Sequence, residues 1–123
     1  MAMASTVAHD SHHMIVVGTD ADQMALAANR LRAVGGGITI FRDGAELALV
    51  ELPIAGLMSD SPAAEVAAAT DAMMRAMRAC GCTLNNAYMQ HSLLALVVIP
   101  ELRISDLGLV DVRTFEFTDV IVS

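Results

Sequence analysis

The sequence predicts an α/β (α+β) fold: a mixed β-sheet with two main helices packed on it, in the order β-α-β-β-α-β-β. Three observations predict it. Apolar residues recur at helical spacing over 24–34 and stop at Gly35-Gly36-Gly37. Asp43-Gly44 stands between two apolar runs, which is the strongest short-range hairpin signal. A second helical-period run, 66–77, follows Ser61-Pro62, where serine suits the N-cap and proline the first helical position. The hairpin is antiparallel, while the strand–helix–strand crossovers permit parallel pairs, so the sheet is expected to be mixed.

The elements follow in order. Residues 5–13 are polar and histidine-rich, and their plainest reading is a solvated segment. Met14 to Val17 is a short apolar run ended by Gly18, suited to a buried strand. Thr19-Asp20 offers a cap to a helix whose inner face is Met24, Ala27, Ala28, Leu31 and Val34. Ile38–Phe41 and Leu47–Leu52 are the hairpin strands, the second ended by Pro53. Pro53 to Asp60 is an apolar loop with a polar end, and apolar loops touch something. In the second helix Val66, Thr70, Met73 and Met77 share a face, and its methionines read as core filling. Gly81 suits the left-handed position that ends the helix, with Cys82 packing inward. Leu93–Ile99 reads as a fully buried strand closed by Pro100, and Val112–Val122 as a last strand with one interruption.

Length and composition bound the function. A chain of 123 residues makes one domain, 1–123. It is 55% hydrophobic, which excludes disorder and leaves apolar surface for a partner, with a homo-oligomer expected. Seven basic against 14 acidic residues, no lysine and four aromatics give neither the basic stripe nor the stacking platform that nucleic acid requires. The longest apolar run is Leu93–Ile99, against the ~20 residues of a membrane span, so no membrane partner is expected. The N-terminus has no positive region and no long apolar stretch, so no secretory signal is read and the expected location is cytoplasmic. Cys80 and Cys82 alone make no disulfide framework.

The densest polar cluster is His9-Asp10-Ser11-His12-His13. In an extended segment His9, Ser11 and His13 share one face and Asp10 and His12 the other. Histidine ligates metals when neutral and changes charge near neutral pH. His9, His12 and His13 are therefore candidate metal ligands, and Asp10 could orient His12 as a base. Ser59-Asp60 could hydrogen-bond a small ligand or form a turn. Gly35-Gly36-Gly37 follows a helix instead of preceding one, so it is not a phosphate loop. His91 reads as a satisfied core or interface histidine.

Several segments in order resemble a known family. They are Ser5-Thr-Val-Ala-His-Asp-Ser-His12, Ile15-Val-Val-Gly-Thr19, Asp22 to Leu31, and Leu52-Pro-Ile-Ala-Gly-Leu-Met-Ser-Asp60. Gly81-Cys-Thr-Leu84, Ile99-Pro-Glu-Leu-Arg103 and Gly108-Leu-Val-Asp-Val112 continue the match. Together they resemble the C-terminal domain of bacterial adenine deaminases of the amidohydrolase superfamily, over nearly the whole chain. The family pattern is departed from at His13, Cys80, Gln90, His91 and Val97.

The resemblance implies a part in hydrolysing adenine to hypoxanthine and ammonia. It implies that a manganese- or iron-loaded (β/α)₈ barrel, in cis or in trans, carries the chemistry, and a barrel needs ~200 residues or more. No cofactor is then expected in this chain, which would start inside the C-terminal domain without its first strands. The substrate-pocket candidates are His9, Asp10, Ser11, His12, Met58, Ser59 and Asp60. The alternative is a stand-alone binding or oligomerisation domain derived from the family.

Overall fold

The computed structural model describes residues 1–121. Its main sheet has four strands in the order β2-β1-β3-β4: β1 (Ala2–Ala8), β2 (His13–Gly18), β3 (Gly37–Arg42) and β4 (Ala45–Glu51). Helix α1 (Ala21–Val34) connects β2 to β3, and α2 (Ala63–Ala79) follows β4. A short helix α3 (Ala87–Ser92) runs into a 3₁₀ turn, Leu93–Ala95. The chain then forms a second, three-stranded sheet of β5 (Leu102–Ser105), β6 (Gly108–Asp111) and β7 (Glu116–Phe117).

The α+β class and the two main helices stand as the sequence predicts. The parallel pairs do not: every pairing among the described strands is antiparallel. The reason is β1. Both β2 and β3 run antiparallel to it, so the β2–α1–β3 crossover does join strands of one direction, but β1 lies between them. Residues 5–13 are accordingly not one polar segment. Ser5 to Ala8 belong to a central strand, and only His9–His12 form a turn.

Alternation along the strands splits the core into two layers. Met3, Ile38, Ile40 and Val50 pack with Met73, Met77 and Ala87 of α2 and α3 on one face. Ala2, Ala4 and Phe41 pack with Ala27 and Leu31 of α1 on the other. A sheet covered on both faces buries residues of both parities along its central strands. β1 accordingly shows no polar–apolar alternation, with Ala2, Met3, Ala4, Ser5 and Ala8 all buried.

The caps are legible one by one. Asp20 accepts from the Gln23 amide at 2.8 Å to start α1. Asp43 and Gly44, both with positive φ, make the two-residue turn of the β3–β4 hairpin. After α2, the Gly81 amide donates to Arg78 O at 2.9 Å and the Cys82 amide to Met77 O at 3.0 Å. That pair is the Schellman closure, and it turns Cys82 against the core. The N-cap of α2 is Pro62, with no side-chain cap bond, one residue later than the Ser61 expected.

Two expected strands are corrected. Leu93–Ile99 is not a strand: the Leu96 amide bonds Leu93 O and the Ile99 amide bonds Leu96 O, both at 3.1 Å. Ser92 and Ala95, three apart, are the buried positions, and Ala95 packs on Ala8 and Ile15. A short apolar run has no period that distinguishes strand from helical turn, and here the helical spacing prevails. In Val112–Val122 only Glu116–Phe117 is strand. Asp111 stops it by accepting from the Arg113 amide at 2.9 Å and making a turn. Val122 lies outside the described residues.

Candidate functional site

The strands fix where the candidate residues emerge. β1 ends, β3 begins and β4 ends at the same end of the sheet, because Ser5 pairs with Ile38 and Gly37 with Glu51. The His9–His12 turn leaves that end from β1, and the Pro53–Asp60 segment leaves it from β4. The two stretches are 40 or more residues apart in sequence, and the sheet brings them to one edge.

Thr6 joins them. Its hydroxyl donates to Gly56 O at 2.6 Å and accepts from the Gly37 amide at 2.8 Å. Gly36 and Gly56 make room for this lock: a Cβ on Gly36 would stand 2.5 Å from Gly56 Cα. The Pro53–Asp60 segment is itself a tight reversal. Ala55 and Gly56 both have positive φ, and the Leu57 amide donates to Ile54 O at 3.1 Å. Leu52 and Gly56 are buried, while Ile54 and Met58 project, 45% and 59% exposed. Sequence reading missed Thr6, because its partners lie about 30 and 50 residues away.

The His9–His12 turn is held by its backbone. The His9 amide donates to Ser92 O at 3.1 Å and the His12 amide to Ala8 O at 2.7 Å. His12 sits at φ 53, so the segment is not extended, and the faces expected for an extended chain do not apply. Instead the His9 and His12 rings meet edge to face, with centroids 5.7 Å apart. Asp10, Ser11 and His12 are exposed, and His9 is partly so. His13 begins β2, and its Nδ1 is buried with no hydrogen-bond partner in the structure.

The remaining candidates divide. Met58 and Asp60 face outward. Ser59 lines a cleft of about 300 Å³ between β4 and the first half of α2, together with Ser61, Glu51 and Glu65. Among the described residues no three of His, Cys, Asp and Glu are grouped so as to hold a metal ion. His91 is satisfied as expected: its Nδ1 lies 2.7 Å from Ala87 O.

Chemically, the edge offers two imidazoles, a carboxylate and a hydroxyl on a backbone-pinned turn, next to projecting apolar side chains. That is a surface able to meet a polar ligand or another domain. Among the described residues no helix is long and apolar enough to cross a membrane.

Known proteins match the chain over its length. The model of the adenine deaminase C-terminal domain family matches residues 1–116. An adenine deaminase of Roseobacter denitrificans is 86% identical over 123 residues, 100% of this chain and 20% of that protein. One of Ruegeria pomeroyi is 85% identical over 121 residues, 98% of this chain and 20% of that protein. An adenine deaminase of Moorella thermoacetica is 52% identical over 120 residues, again 98% of this chain and 20% of that protein. The chain spans about one fifth of the length of the curated relatives it matches.

Proposed function

Because the chain belongs to the adenine deaminase C-terminal domain family, we propose that it serves as the accessory domain of an adenine deaminase. The reaction is adenine plus water to hypoxanthine plus ammonia, carried out by a metal-dependent barrel outside this chain. The single observation that carries the reading is the shared edge: the His9–His12 turn and the Pro53–Asp60 stretch leave the same end of the sheet, the second held to β1 by Thr6. In this reading that edge faces the mouth of the barrel.

The edge would do two things there. Its projecting apolar groups, Ile54 and Met58, exclude water, which strengthens every electrostatic interaction in the pocket they cover. Its polar groups, His9, Asp10, Ser11 and His12, can exchange hydrogen bonds with the ring nitrogens of a purine. Histidine suits this because its two ring nitrogens offer a donor and an acceptor. The backbone bonds to Ser92 and Ala8 hold the turn without using these side chains, so they remain free for a ligand. The manganese or iron that the family resemblance implies would be held by the barrel.

The test is a graft. This chain replaces the matching fifth of the Roseobacter denitrificans protein, with and without His9→Ala plus Asp10→Ala, and adenine loss is followed by absorbance. The double variant is expected to lower kcat/KM by about tenfold or more with an unchanged melting temperature. Unchanged kinetics would remove the reading.

A further inference from the structure

The second sheet is out of proportion to what supports it. Its strands have four, four and two residues, and what they rest on is chiefly the 3₁₀ turn at Leu93–Ala95. Three short strands need an apolar face packed against something to be stable. Here Leu109 and Val110 are partly buried, and the other apolar groups face outward. The six most exposed large apolar side chains among the described residues all lie between 98 and 121, from Val98 at 62% to Ile121 at 84%. Exposed apolar residues within the strands stand on both sides of the sheet. Leu102 and Ile104 share one face, and Phe117, opposite Val110, stands on the other. Leu107 projects from the β5–β6 turn, and Phe115 leads into β7.

We infer that this β5–β7 arm is a docking surface whose occupant is the remaining four-fifths of an adenine deaminase chain. Two observations select that occupant over a second copy. Four-fifths of each relative's length lies outside the stretch that this chain matches. The arm is also continuous with the candidate site. Ile104, Ser105 and Asp106 line a cavity of about 270 Å³ with His13 to Val17 of β2. The 3₁₀ turn that carries the arm packs on Ala8 and Ile15, at the base of the His9–His12 turn. A partner seated on the arm therefore stands beside that turn. This inference rests on the accessory-domain reading, and it assigns the anchoring to the arm and the substrate contacts to the turn.

The experiment compares hydroxyl-radical labelling of Leu107, Phe115 and Phe117 in the isolated 123-residue chain and in the same chain grafted into the Roseobacter denitrificans protein. The expected result is strong labelling in isolation at every protein concentration and loss of labelling in the graft. Equal labelling in both would overturn the inference, and so would protection in the isolated chain that grows with concentration, since a second copy would then be the occupant. The outcome is separate from the kinetic test. A protected arm with kinetically silent His9 and Asp10 variants would keep the docking surface and remove the pocket reading. An unprotected arm with impaired variants would do the reverse.

Discussion

Asp111 and Arg113 show how a spacing of two residues ends a strand. The Asp111 carboxylate takes the Arg113 amide at 2.9 Å and its guanidinium at 2.7 and 3.0 Å, so the chain turns where it would otherwise extend. These bonds favour the ionised form. The Arg113 side chain first, and its amide next, lower the Asp111 pKa from 3.8 to about 2. The sign follows from linkage. A carboxyl whose folded pKa is depressed contributes stability above its unfolded pKa, and that contribution fades as pH falls toward the folded one. The turn should thus persist at pH 3, where ordinary carboxylates have taken up protons. Carbon-13 titration of the Asp111 carboxyl should show a midpoint near 2, and Arg113→Gln should return it toward 3.8. An unshifted midpoint in the parent chain would refute the bidentate contact.

At the scale of elements, two glycines at helix ends differ in what limits them. Gly81 has φ +89 and open space where a Cβ would go, so Gly81→Ala bears only the left-handed backbone cost, about 1 kcal/mol. Gly36 has φ +124, and its Cβ would meet the Gly56 backbone, which the Thr6 hydroxyl holds in place. Gly36→Ala should therefore cost about 3 kcal/mol or more, since backbone strain and a contact that cannot relax act together. Urea unfolding of both variants checks this; equal losses would mean that the Pro53–Asp60 segment is not locked. The same elements explain what was legible in the sequence. α1, the β3–β4 hairpin and α2 each carry punctuation, in Asp20, Gly35, Asp43-Gly44 and Gly81. β1 has none, because burial on both faces removes the alternating pattern by which a strand is read. The His9–His12 turn was found by residue type, but its company was not: Thr6, Gly36 and Gly56 meet only after the sheet has formed.

The whole molecule has two unequal parts, and its stability should follow that division. The main sheet is covered on both faces, by α1 on one and by α2 and α3 on the other. The β5–β7 arm pairs ten residues and leaves Leu107, Phe115 and Phe117 largely exposed. Local opening free energy falls where few apolar contacts are buried. In the isolated chain the amides of β5 and β6 should therefore exchange through a sub-global opening that depends little on urea. Those of β1 and β3 should exchange only through global unfolding, with a steep urea dependence. Native-state hydrogen exchange at rising urea separates the two classes. A single shared opening free energy would mean that the arm folds as one unit with the main sheet, stabilised by contacts of its own. Two classes would mean that its stability has to come from what covers it. In that case an arm that is the weakest part of the isolated chain becomes, once covered, the part that couples the folding of this domain to that of its partner.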